Sequence, residues 1–311
     1  MTRVVPTREF ALYSVGGASL AAAGNCHLPF SAARYSRYKY GSVTAAEAFA
    51  RALGAAFRER CPELAFAPRL LMTSSPYARV PTAATTLARR LQPVLNAART
   101  GCGLAPAPLL RVERTSTSAG DYGTLSAQAR DLHMAGNALS FRRFPVQQVR
   151  GAHLLVVDDV RVTGAHQRCL MRASEDQPLA TRTFLYIAAF TGPESAFTGP
   201  ESGRFDPAQE DALNHAAVKT LGDLAGIVDA CDFAWNVRVC KFALGPANRR
   251  ELPRFLHRMP GWFVRGLHRN SCLDGYARMD LYAPSHALVR AELSSRQNGR
   301  QNGPSAARLP A

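Results

Sequence analysis

With 311 residues, the chain is long enough for one large domain or for a domain carrying a second lobe. Its 47% hydrophobic and 20% charged residues are those of an ordinary globular protein, and no apolar run reaches the ~18 residues of a membrane span, so no membrane role is expected. The formal net charge of +15 suits an anionic partner, but there is no basic run and no zinc-finger or RNA-binding pattern, so nucleic acid rests on charge alone.

In chain order, residues 1–40 read as an irregular segment ending in RYSRYKYG. A helix is predicted from Thr44 to Arg60, with Thr44 and Glu47 as a capping box. RLLMTSSP, 69–76, reads as a buried strand entering a polar loop, and the helix in 81–95 starts with Pro81 in its first turn. LLRVER, 109–114, is a further strand; 115–124 is a polar, glycine-containing loop, and 125–134 resumes helical character. HLLVVDDV, 153–160, has the unbroken apolar core of a strand covered by helices on both faces of a parallel sheet. AHQRCLMRAS, 165–174, follows as a helix and TRTFLYIAAF, 181–190, as a strand, an alternation that predicts an α/β fold. The repeat TGPESAFTGPES, 191–202, reads as a duplicated surface loop; 205–293 reads as mainly helical, and the polar tail 294–311 as disordered.

Seven cysteines (Cys26, Cys61, Cys102, Cys169, Cys231, Cys240 and Cys272) without a C-x-x-C pair read as reduced thiols, with Cys231 and Cys240 taken as buried. The N-terminus lacks the design of an export signal, so the expected location is the cytoplasm. His27, His133, His153, His215, His257, His268 and His286 show no metal-ligand spacing, and no nucleophile–base pair stands out.

Chemistry concentrates in HLLVVDDVRVTGAH, 153–166. Adjacent carboxylates repel, and no fold requires Asp158 and Asp159 at a strand end. In a parallel α/β sheet, ligands bind beyond the carboxyl ends of the strands. The turn Arg161–His166 leads into a helix N-terminus, where backbone N–H groups attract phosphate, and Gly164 permits close approach or a positive φ. Two acids beside a phosphate cradle suit a ribose 5-phosphate, whose two hydroxyls the acids accept.

This stretch closely resembles the phosphoribosyl pyrophosphate (PRPP) signature of the type I phosphoribosyltransferases. The four apolar residues, both acids, Thr163 and Gly164 fit; Val162 and His166 stand where that family has hydroxyl residues. The backbone part of the phosphate site survives this loss, and Arg161 or protonated His166 offers replacement donors. Residues Ser74 to Pro81 look like the family's pyrophosphate loop, with Arg79 meeting the diphosphate. Residues 109–130 are similar to the segment that covers the active site in ComF-like members, with Arg111, Arg114, Tyr122, Leu125, Ser126 and Arg130 matching. Lys39, in Lys-Tyr-Gly before the first long helix, also matches that group.

The resemblance, spanning about residues 35–190, implies a type I phosphoribosyltransferase-like parallel sheet flanked by helices, with a mainly helical C-terminal extension. Taken with the pattern of the rest of the chain, this gives an irregular segment 1–40, a PRPP-binding core 41–204, a mainly helical extension 205–293 that is a candidate acceptor-binding lobe, and the disordered tail 294–311. The resemblance implies transfer of phosphoribosyl from PRPP to a small-molecule acceptor through an oxocarbenium-like transition state. Asp158 and Asp159 would be catalytic, touching Mg2+ indirectly through PRPP. The turn Arg161, Val162, Thr163, Gly164, Ala165 and His166 would hold the 5-phosphate, Ser74, Ser75 and Arg79 the pyrophosphate, and Arg114 and Tyr122 would belong to a closing loop.

For the acceptor, the acids Glu201, Asp206, Glu210, Asp211, Asp223, Asp229 and Asp232 against only Arg204 and Lys219 have two readings. One is a solvated helix face; the other is a pocket for a cationic acceptor, such as the aminocyclitol neamine in antibiotic biosynthesis. A nucleobase stacked on Tyr77, Phe233 or Trp235, a non-catalytic PRPP sensor, and a ComF-like accessory protein acting with nucleic acid stay open. So does the oligomeric state, a homodimer included.

Overall fold

The structure, a computed structural model, describes residues 5–16, 28–114, 139–141, 144–162, 164–191 and 207–301. Among these, the strands in chain order are β1 (Thr7–Gly16), β2 (Leu70–Ser74), β3 (Glu113–Arg114), β4 (Leu139–Ser140), β5 (His153–Val157), β6 (Val160–Arg161) and β7 (Thr181–Thr191). β1, β7, β5 and β2 lie side by side in that order, all parallel, with β6 on β7; β3 and β4 form a separate antiparallel pair. The fold is therefore α/β with a parallel sheet of five strands, as the alternation of elements predicts.

Helices cover both faces. Leu155, Val157 and Ile187 pack with α2 (Val43–Arg60) and α3 (Ala83–Gly101), whereas Leu154, Val156 and Phe184 pack with α4 (Ala165–Ala173). Successive residues of a strand point to opposite faces, so both parities must be apolar, which is why these strands read as continuous apolar runs. β5 and β6 share one register on β7, Val157 opposite Leu185 and Val160 opposite Ala188. Asp158 N–H donates to Leu185 O at 2.9 Å, and Ile187 N–H to Asp159 O at 2.8 Å. The two acids thus sit in the two-residue break between β5 and β6, which keep one register on β7, at the point where β2, which ends opposite Val157, leaves the other edge open.

Three expectations change. The segment 1–40 is not irregular: β1 is a ten-residue edge strand, and α1 (Ala32–Lys39) follows. Charged Arg8 and Glu9 disguise β1 because an edge strand tolerates them; Arg8 pairs with Glu63 at 3.0 Å and Glu9 with Arg161 at 2.5 Å. Helix α2 is capped not by Thr44 but by Ser42, whose Oγ accepts from Ala45 N–H, while Glu47 is drawn to Arg90 at 3.1 Å. Residues 294–301 of the expected disordered tail are helical instead, because α10 (Ala283–Gln301) is tied back by Arg296, which pairs with Glu292 at 2.6 Å and donates to Leu256 O at 2.6 Å. Residues 302–311 lie outside the described residues.

The mainly helical remainder comprises α5 (Pro207–Asn214), α6 (Leu221–Asp229), α7 (Val237–Leu244), α8 (Leu252–Arg258), α9 (Gly261–Leu273) and α10. Its own core, including Leu224, Leu252 and Phe263, also takes in Tyr40 and Val80 from the sheet domain. Backbone hydrogen bonds stitch the junction: Ala234 N–H to Gly41 O at 2.8 Å and Val237 N–H to Pro81 O at 2.9 Å. Gly41 has φ +94°, and a Cβ there would lie 2.5 Å from Ala234 O, so only glycine allows this approach.

Edge strand β1 depends on buried Arg182 of β7, which donates to Thr7 Oγ1, Met171 O, Ser174 Oγ and Val5 O at 2.6 to 3.2 Å. Arg182→Met removes these four hydrogen bonds at once, although Met171 O and Val5 O keep donors from Ser174 and Thr7, and should cost about 2–4 kcal/mol of stability in urea denaturation. A loss below about 0.5 kcal/mol would show that β1 is held by its ladder alone.

Candidate functional site

Strand parity gives the two acids different surroundings. Asp158 shares the face of Val156, toward α4, and is buried; its Oδ1 accepts from Ser75 Oγ at 2.5 Å and from Asp159 N–H at 2.9 Å, and its Oδ2 lies 3.5 Å from His166 Nδ1. Burial pushes its carboxyl upward, but the His166 contact and the Ser75 and Asp159 hydrogen bonds outweigh that and hold it below the usual carboxylate range. Asp159 faces the other way, ion-paired to Lys39 Nζ at the end of α1, and its Oδ1 accepts Val160 N–H at 2.8 Å. Tyr38 is fully buried nearby; burial first, then Asp159 and Asp158, pushes its phenol well up, so it stays protonated.

The following turn leads into α4 through Gly164, which has φ +70° and so needs glycine, as the sequence suggested. Val162, where the family signature carries a hydroxyl, packs against the sheet core, which accounts for the apolar side chain. Arg161 pairs with Glu9, and of the two proposed replacement donors it is His166 that touches one of the adjacent aspartates, Asp158. Thr163 lies outside the described residues.

The acids open onto a cavity of about 660 Å³. Its sheet side holds Asp158, Asp159, Ser75 and the first turns of two helices, α4 (Gly164 to Gln167) and α3 (Thr82 to Ala84). Its far wall is the helical lobe, with His215, Lys219, Arg238 and Lys241. Cationic Lys39, Arg114, Arg161, Lys219, Arg238 and Lys241 therefore surround a cavity whose acids are Asp158 and Asp159. Two helix N-termini and this excess of positive charge favour a polyanionic ligand.

The expected pyrophosphate residues divide. Ser75 lines the cavity; Ser74 turns its Oγ to Thr85 Oγ1 at 3.0 Å, and Arg79 is exposed and does not line it. The N–H groups of Arg79 and Val80 both donate to Asp274 Oδ1 at 3.0 Å, so the lobe holds this loop by a carboxylate. Burial of Asp274 pushes its carboxyl up, against the pull of those N–H groups. Arg114 lines the cavity, and Arg111 lies 4.3 Å over the Tyr77 ring. Tyr122, with the rest of 115–138, lies outside the described residues.

Among the described residues, the acids of that stretch do not build the cavity. Asp223 closes the capping box of α6 with Thr220, Asp232 accepts from Ser42 Oγ at 2.5 Å and Thr44 N–H at 2.6 Å, Asp229 meets Arg258 at 3.8 Å, and Asp211 approaches His215 at 3.5 Å. None of these four lines the cavity, and the side chains of Glu201, Asp206 and Glu210 lie outside the described residues. Nor do the proposed stacking aromatics line it: Phe233 and Trp235 pack on each other and on Phe263, at centroid distances of 4.8 to 5.5 Å. Cys240 is buried as expected, whereas Cys231 is exposed. Sequence reasoning missed Lys219, Arg238, Lys241 and Asp274 as parts of the site, because single charges far along the chain carry no local signal.

A family model described as PRTase ComF-like matches residues 8–289. No curated protein matches the chain. Among solved structures, a hypothetical protein from Neisseria gonorrhoeae, crystallised with bound ppGpp, is similar at 12% identity and a TM-score of 0.30, over 56% of this chain and 93% of that one.

A carboxyl held low in the native state stabilises the fold above its unfolded pKa, and that contribution is lost as pH falls through the native value. The stability difference between wild type and Asp158→Asn should therefore be flat near neutrality and shift against the wild type below about pH 4. Urea denaturation across that range measures it, and a difference that does not change with pH would mean Asp158 is not held low.

Proposed function

The chain belongs to the ComF-like PRTase family, and on that premise we propose that it transfers the 5-phosphoribosyl group of PRPP to a small-molecule acceptor, releasing pyrophosphate. The observation that carries this reading is a pair of adjacent aspartates, Asp158 held low and Asp159 paired with Lys39, beside a glycine-started helix in a cavity whose other charged residues are cations.

In this reading, the bond from C1 of the ribose to the diphosphate oxygen breaks, and a bond from C1 to the acceptor forms. Asp158 and Asp159 accept the ribose hydroxyls, and their charge favours the positive charge that develops at C1. The first turn of α4, with His166, holds the 5-phosphate. Ser75 and Arg114 face the departing diphosphate. The acceptor's proton goes to a base for which Asp158 and Asp159 are the acids at hand.

Magnesium fits the donor set, since two carboxylates, one of them held low, are hard oxygen donors; when bound with PRPP it supplies charge neutralisation at the diphosphate. Among the described residues no helix is long and apolar enough to cross a membrane, and the six cysteines there are unpaired, which supports a cytoplasmic enzyme.

The acceptor is read from the far wall. An aminocyclitol such as neamine would need acids there, and the wall carries Lys219, Arg238 and Lys241 instead. We favour an acceptor with a carboxylate or phosphate of its own.

Pyrophosphate release from PRPP and magnesium, run against a panel of anionic acceptors, nucleobases and aminocyclitols, tests the reading. Asp158→Asn with Asp159→Asn should lower turnover by at least about 100-fold while the protein stays folded. Turnover that survives this change places the chemistry elsewhere; PRPP binding without release under any acceptor would favour the sensor. In the same assay Arg238→Ala should raise KM for the acceptor by roughly 10-fold and leave KM for PRPP unchanged. An unchanged acceptor KM would remove the anionic-acceptor argument.

A further inference from the structure

Away from the cavity, α9 and α10 bring together a cluster of two histidines and a cysteine drawn from two different helices. His268 and Cys272 are four residues apart on α9 and so share one face, and His286 comes from the first turn of α10. His268 Nδ1 lies 3.0 Å from His286 Nε2, and Cys272 Sγ lies 3.6 Å from the same nitrogen. One ligand atom from each residue falls within 4.8 Å of the other two, and the imidazoles stack at 5.0 Å and 16°. We propose that His268, Cys272 and His286 form a zinc-type metal site that locks the end of α9 to the start of α10.

The geometry favours this ion class. Bonds of about 2.0–2.1 Å to nitrogen and 2.3 Å to sulfur, arranged tetrahedrally, put neighbouring ligand atoms roughly 3.3–3.6 Å apart. The sulfur–nitrogen edge already has that length, and the nitrogen–nitrogen edge has only to open by a few tenths of an ångström. His286 is buried at the junction of the two helices, with Arg290 one turn further along α10. Arg290 opposes an ion held by charge alone. The ion must therefore be held by soft nitrogen and sulfur ligation, which selects zinc over magnesium or calcium. Three protein ligands with Cys272 exposed leave the fourth position to water.

The site also bears on the cavity. Cys272 is two residues before Asp274, whose carboxylate holds the N–H groups of Arg79 and Val80. An ion on the last turn of α9 fixes the position of that carboxylate and, through it, the loop that Ser75 begins.

Cobalt titration of the full chain after chelator treatment tests the proposal. One cobalt per chain is expected, with a thiolate-to-cobalt charge-transfer band and the intense visible bands of a tetrahedral ion. Cys272→Ser should abolish the charge-transfer band, and His268→Gln should weaken zinc, in competition with a chelating dye, by at least roughly 10–100-fold. Both positions are outside the buried core, so circular dichroism should show an unchanged fold; His257→Ala, at an exposed histidine near the same helices, should bind as wild type. Cobalt bound without the thiolate band, binding that survives both substitutions, or binding lost equally in His257→Ala would each overturn the site.

Discussion

Placing two carboxylates next to each other in a strand is the constraint on which the rest of the site depends. Left alone, two neighbouring charges at an effective dielectric of about 20 would repel by a few kcal/mol, and burial of one would add to that. The sheet handles this by geometry. Because Asp158 and Asp159 keep the register of β5 on β7, their side chains go to opposite faces, and each meets its own compensation. Asp158 meets Ser75 from β2's turn and His166 from α4; Asp159 meets Lys39 from α1. A one-residue slip of this strand would exchange the two faces, so the apolar residues of β5 and the chemistry of its end are fixed by the same register.

The helical lobe completes what the sheet begins. It is joined to the sheet domain by polar contacts at Ser36 inside α1, at the turn after α1 and at the loop before α3, and the last two border the cavity. Asn236 shows the economy of the contact at the turn: its Oδ1 caps α7 through Arg238 and Val239 N–H, and its Nδ2 donates to Lys39 O, next to the lysine that balances Asp159. Asp274 does the same at the loop before α3, as a buried acceptor for two loop N–H groups. Removing either polar partner would strand buried donors or acceptors, so the lobe cannot be detached without disturbing the wall of the cavity.

The parts of the fold legible in the sequence are those whose physics is local. β5 and β7 announce themselves as apolar runs because both their faces are buried, and the acids, Gly164 and the following helix lie within fourteen residues of one another. β1 was hidden because an edge strand can carry Arg8 and Glu9, whose partners Glu63 and Arg161 are far away in sequence. The cap of α2 was misread for a similar reason: Ser42 is engaged by Asp232, 190 residues on, so a local capping box at Thr44 lost to a tertiary one. The metal-binding arrangement in the lobe escaped because its third member arrives from a different helix. In each case the missing information is a contact at long sequence separation, which no window along the chain contains.

Charge is the clearest instance. Summed along the sequence, 201–232 is acidic and suggests a cationic ligand; summed in space, the cavity is cationic. The two disagree because an acid has structural uses that remove it from any pocket. Asp223 and Asp232 satisfy helix N-termini, where a carboxylate is favoured by the exposed N–H groups and the helix dipole. The cations have no equivalent demand at helix starts, and six of them line the cavity. A basic chain folded this way concentrates its positive field over Asp158 and Asp159, where it offsets their charge and favours a ligand that brings phosphates with it.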